Sequence, residues 1–281
     1  MKKILILLFA FFMLVPFSAC AQQTALNYEG LILVKGDNFK NENSNLYNTS
    51  VKVTDFYIGQ YEVTQKEWFE VMGKNPAELQ GDDLPIVNVN WYDCVEYCNE
   101  RSVKEGLKPY YNIDKENKDP NNLSEDDEIK WIVTLNAKAN GYRLPTEVEW
   151  EFAASGGQMS ESFKYSGSDN VDDVAWYYRN SGDEYITDSW FWPKIQANNG
   201  QIKPVGQKKS NELDLYDMSG NVREWCWDWS GETIHNDKGE DRVIRGGGWI
   251  GEDVPCEIAY RSSMGAHYIQ PDLGLRVCRN K

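Results

Sequence analysis

The sequence predicts a single α+β domain, irregular and loop-rich, in which a few short helices are set among turns and brief strands. Three observations predict it. Helix start signals occur only at isolated places, chiefly Thr64 with Glu67 three residues on, and Asn90 ahead of Trp91. Beyond Gly156 the chain alternates Gly, Asn, Asp, Ser and aromatics with few periodic stretches, the pattern of loops rather than of long amphipathic elements. Aromatics make up 13% of the 281 residues, with 11 Trp among them, enough large rings to pin such loops over a core.

Taken in order, the chain opens on an address. Lys2 and Lys3 precede an apolar run from Ile4 to Val15, then Pro16 and the small residues Ser18, Ala19, Cys20 and Ala21. This reads as a bacterial secretory signal, too short for a bilayer span of roughly 20 residues. Phe17-Ser18-Ala19-Cys20 fits a lipoprotein signal with Cys20 lipidated, whereas Ala19-Cys20-Ala21 fits ordinary cleavage before Gln22. The expected organisation is a signal over 1–21, a tether over 22–30 and one domain over 31–281. The expected location is exported, in the periplasm or on the outer membrane, attached to the membrane by lipid at Cys20.

Leu31–Val34 and Val51–Tyr61 have strand character. Thr64 and Glu67 form a capping box, and Trp68, Phe69, Val71 and Met72 give the helix behind it an apolar face. A second helix follows Asn90, with Trp91, Cys94, Val95 and Cys98 at helical spacing. The acidic stretch Lys115–Glu128 fails as an EF-hand loop, because Lys118 stands where an oxygen ligand belongs and Asp119 where Gly is needed. It reads instead as a solvated excursion.

Charge and residue usage exclude several functions. A formal charge of −15 repels the phosphate backbone, so no nucleic acid is expected as partner. Only His235 and His267 are present, too few for sites built on several imidazoles. P-loop, Gly-x-Ser-x-Gly and His-Glu-x-x-His signatures are missing. Outside the cytoplasm disulfides persist, yet Cys94, Cys98, Cys226, Cys256 and Cys278 are five, so one thiol is left over. Cys94 and Cys98 lie one helical turn apart, which is not a Cys-x-x-Cys redox or zinc spacing.

Between Asp217 and Glu224 stands Gly220, which lets the backbone turn sharply, so two carboxylates and several carbonyls can face one point. That oxygen set suits calcium.

Six ordered blocks carry the remaining information: Tyr57–Thr64, Pro85–Trp91, Gly141–Glu151, Leu215–Trp225, Arg245–Trp249 and Leu273–Arg276. In this order, over Leu31–Arg279, the sequence closely resembles the formylglycine-generating enzyme, or sulfatase-modifying factor, family. The resemblance implies an irregular C-type-lectin-like fold. It implies calcium held by the side chains of Asp217 and Glu224 and the carbonyls of Ser219, Gly220 and Val222. It also implies a disulfide from Cys98 to a cysteine after the last strand, although Cys278 lies one residue beyond the usual spot.

Copper-dependent members carry two reactive cysteines after Arg-Gly-Gly-Ser. Here Gly248 and Gly251 replace the Ser and the first Cys, and only Cys256 stands at the second position. A lone sulfur does not make the dithiolate site that Cu(I) uses, so copper is not expected. Cys256 reads as a small buried residue or disulfide partner, and the catalytic set is none. Arg143, Arg245 and Arg276 read as structural partners of Glu147, Glu149 or Glu224. The function expected is a non-catalytic binding or scaffold module for an envelope protein or glycan. The alternative is a copper-dependent oxidoreductase acting on protein cysteine.

Overall fold

The fold is seen in a computed structural model that describes residues 30–136, 138–234 and 236–281. The signal, the tether up to Tyr28-Glu29, Cys20 and His235 therefore lie outside the described residues. Strands β1 (Leu31–Val34), β2 (Asn38–Phe39), β3 (Val51–Lys52) and β4 (Phe56–Gly59) come first. Helices α1 (Gln65–Met72) and α2 (Trp91–Lys104) follow, then β5 (Tyr111–Lys118), β6 (Trp131–Leu135), β7 (Tyr142–Arg143) and α3 (Glu147–Ala154). Short helices α4 (Val171–Val174) and α5 (Trp192–Ala197) punctuate a long loop region. Strands β8 (Arg223–Trp229), β9 (Asp241–Arg245), β10 (Ser262–Gly265), β11 (Leu273–Gly274) and β12 (Cys278–Asn280) complete the chain.

Two four-stranded sheets form the frame. One has the order β1-β4-β12-β7 and the other β10-β9-β8-β11. All neighbours run antiparallel except β11, which lies parallel to β8 with Leu273 opposite Arg223. The helix starts are as the sequence predicts: Thr64 and Glu67 close a capping box, as do Asn90 with Asp93. A third box joins Thr146 and Glu149. Thr146 is the cap itself, and Pro145 precedes the helix.

The apolar residues divide into three clusters. Trp68, Trp91, Cys98, Trp225 and Val277 fill one, Phe56, Ile58, Trp150 and Cys278 a second, and Tyr177, Ile195, Val222 and Cys256 a third. Trp68 stacks on Tyr97 with ring centroids 4.9 Å apart, and the Arg242 guanidinium lies between Trp91 and Trp229 at 3.8 and 3.5 Å. Such contacts hold loops that lack long ladders.

Two expectations are corrected. The acidic stretch is not a solvated excursion throughout: part of it is β5, and Asp127 is buried, accepting from the Tyr92 hydroxyl and the Asn122 amide, each at 2.7 Å. The Cys98–Cys278 bridge is not formed, because all five described cysteines are free thiols. Successive residues of an extended chain face opposite sides; Val277, just ahead of β12, joins the cluster of Cys98, and Cys278 turns into the other.

Candidate functional site

The family blocks converge on two adjoining features, a buried charge cluster and a surface cleft. Three of the four arginines of the blocks, Arg143, Arg245 and Arg276, are consumed inside. Arg143 forks onto Glu149 with two bonds of 2.7 Å. Arg245 pairs with Glu151 and stands 3.7 Å from Glu147. Arg276 grips Glu224 at 2.7 to 3.1 Å and donates to the carbonyls of Gly59 and Tyr216 at 2.9 and 2.8 Å. Trp150 Nε1 closes the remaining side of Glu224 at 2.7 Å.

Around Arg276 lie two further carboxylates. Glu62 is buried and accepts from the Val222 amide at 3.0 Å and the Asn221 side chain at 2.7 Å. Burial first, then the charges of Asp217 and Glu224, push it well above the usual carboxylate range. Asp217 is also buried; its Oδ2 accepts from the Gly206 amide at 2.6 Å, while Oδ1 has no hydrogen-bond partner among the described residues. Burial pushes Asp217 up to about 6, with Glu224 adding repulsion. Asp217, Gly220 and Asn221 share positive φ values of 57°, 81° and 59°, the tight turn expected of this block. The donors are all oxygen, and the orphaned carboxylate oxygen of Asp217 fits a hard cation. Glu224 is less available than the spacing predicts, since Arg276 holds both its oxygens.

The cleft opens beside this cluster, with a volume of about 360 Å³. Trp190, Ile250, Pro255 and Tyr260 wall it, and the backbones of Gly247, Gly248 and Gly251 line it. Gly247, at φ +71°, leaves room that a Cβ would take 2.7 Å from Cys256 Sγ. Cys256 is fully buried, its thiol donating to the Glu252 carbonyl at 3.6 Å and pushed well up by burial. A thiol held protonated in this way is a poor nucleophile and metal ligand.

Sequence reasoning missed the polar pair of this cleft. Arg223, at the start of β8, donates Nε to Asp272 Oδ2 at 3.0 Å and Nη2 to Oδ1. The Arg223 amide also donates to the Asp272 carbonyl at 2.7 Å. Asp272 occupies the space beside Gly248, where a Cβ would meet its Oδ2 at 2.8 Å. The signal was present, since Arg223 and Asp272 sit in or next to the blocks Leu215–Trp225 and Leu273–Arg276. The pairing of β8 with β11 brings them together across 49 positions.

Residues 16–281 match the sequence profile of the sulfatase-modifying factor enzyme 1-like domain. The chain belongs to that family. Among its relatives, "Chaperone protein LppX" of Paenibacillus barcinonensis is 54% identical over 255 residues, covering 90% of each chain. The formylglycine-generating enzyme of Streptomyces coelicolor is 32% identical over 54% of this chain and 51% of its own length. Of solved structures, Treponema denticola variable protein 1 superposes with a TM-score of 0.74 at 29% identity, covering 89% of this chain and 95% of that one. PvdO from Pseudomonas aeruginosa, at 18% identity and a TM-score of 0.61, shares the fold. The irregular, loop-rich α+β architecture is that of the sulfatase-modifying factor family. No helix among the described residues is long and apolar enough to cross a membrane.

Proposed function

We propose that this sulfatase-modifying-factor domain is a non-catalytic binding module of the cell envelope, a chaperone-type protein that holds a polypeptide client. The observation that carries the reading is the near full-length similarity to a chaperone protein. The sequence supports it at the site, where Gly248 and Gly251 replace the Ser and first Cys that the active enzymes' pattern requires, leaving Cys256 alone and buried. Export and attachment through Cys20 belong to the same proposal, as does a tether ahead of the domain. The test is suppression of aggregation. The purified domain should keep reduced, denatured α-lactalbumin in solution near equimolar ratio; the acidic client rules out mere charge attraction to an acidic chain. Unaltered light scattering would overturn the reading. So would tight Cys256-dependent Cu(I) binding with oxygen consumption on a cysteine-bearing peptide.

Calcium enters this proposal as a structural ion. Asp217, with its free oxygen, would hold it together with the carbonyls of Ser219, Gly220 and Val222, and Glu224 would contribute charge. When bound, such an ion offsets the repulsion among the buried carboxylates and stabilises the folded state by mass action.

A further inference from the structure

A second groove, of about 890 Å³, lies between the segment around β2 and the loop that follows α3, with residues 257–259 closing its side. None of its lining residues belongs to the six blocks or to the cleft beside Gly248. We propose that this groove binds a neutral oligosaccharide, a role separate from the client-holding one above.

Charge narrows the ligand first. The two lysines of the lining are already paired, Lys40 with Glu42 and Lys164 with Glu257, each at 2.9 Å. Asp37 is engaged by the Asn38 amide at 2.7 Å. The lining thus offers no free cation to a phosphate or carboxylate and no convergent free carboxylates to a metal ion. What stands unengaged is neutral. The side chains of Asn38, Asn43 and Ser162 are exposed along the walls and have no hydrogen-bond partner among the described residues. A carboxamide presents donors and an acceptor side by side, and a hydroxyl does both, which suits neighbouring hydroxyls on a sugar ring. An acyl chain or apolar side chain would instead bury these groups without partners, at a cost.

The ring content points the same way. Phe163, half-buried, lines the groove, with Phe39 and Phe152 behind it at a centroid separation of 5.4 Å. An aromatic face takes the C–H side of a pyranose while wall amides take its hydroxyls. The walls are also held ready: Gln158 Nε2 donates to the Gly36 carbonyl at 3.0 Å, tying one to the other. Ser162 sits at φ 61°, a left-handed conformation unusual outside glycine and one that gathers at ligand sites.

The test is isothermal titration calorimetry with neutral hexasaccharides of glucose, mannose, xylose and N-acetylglucosamine, against hexagalacturonate as the acidic comparator and a Gly/Ser/Leu hexapeptide. At least one neutral sugar should bind about tenfold more tightly than hexagalacturonate or the peptide. Asn38→Ala with Asn43→Ala removes only exposed, unpartnered groups, so circular dichroism should stay native while affinity for that sugar falls about tenfold. Phe163→Leu keeps the apolar fill, removes the ring face and should weaken the same sugar. No binding across the neutral panel, an acidic sugar or peptide bound as tightly as the best neutral one, or full affinity in the Asn38/Asn43 double variant overturns the proposal.

Discussion

Replacing Arg276 by Met removes the guanidinium that neutralises the buried carboxylates while keeping much of its volume. Arg276 is fully buried, and it grips Glu224 with three contacts of 2.7 to 3.1 Å besides serving the Gly59 and Tyr216 carbonyls. Breaking a buried pair by removing one partner costs about 3–5 kcal/mol. Each abandoned carbonyl adds about 1 kcal/mol or more. Protonation of Glu62 or Asp217, both raised by burial, relieves some of the crowded charge, so the expected loss is about 5 kcal/mol against a total of about 5–15 kcal/mol for an ordinary domain. Arg276→Met combined with Glu224→Gln removes the stranded charge yet keeps an acceptor for Trp150, and should recover about 2 kcal/mol. The assay is urea unfolding followed by tryptophan emission, with chelator present. A loss below about 1.5 kcal/mol for the single variant at unchanged m-value, or a double variant no more stable than the single, would refute the reasoning.

Three further outcomes are expected. In chelator, Asp217 contributes stability that is fully present below its ordinary carboxylate value near 3.8 and is lost as pH rises through about 6. Asp217→Asn should therefore gain on wild type by up to about 3 kcal/mol across that window, and added calcium should raise the wild-type melting midpoint most above it; a flat pH difference counts against the buried, raised carboxyl. Unfolding in guanidinium without reductant should release all five thiols, Cys94, Cys98, Cys226, Cys256 and Cys278, to a thiol reagent; three or fewer would mean a bridge has formed. Cys20→Ala should move the protein from the detergent phase to the soluble fraction, and identical partitioning would discard the lipid anchor.

The sequence made the local signals legible. Thr64 and Asn90 announce their helices because each cap is satisfied within a few residues. The block order made the family legible for a different reason: glycines, prolines and arginines at fixed separations encode turns and buried pairs that no periodicity reveals. What stayed hidden depends on long-range register. Whether Val277 or Cys278 faces α2 is a one-residue matter that spacing alone does not settle. The Arg223–Asp272 pair became visible only once β11 was laid beside β8. The buried role of Asp127 was masked by its acidic neighbours, which share its composition but not its partners.

One feature of the first sheet bears on how the chain acquires its structure. The last strand, β12, lies in the middle of that sheet, with β4 on one side and β7 on the other. During synthesis from the amino end, the facing edges of β4 and β7 stay unpaired until residues 278–280 emerge, and the contacts that close the sheet reach across about half of the polypeptide to β7 and most of it to β4. Such closure is slow, because loop entropy must be overcome before the pairing is gained. The first sheet therefore closes only when that last segment is released, an order compatible with the export proposed above.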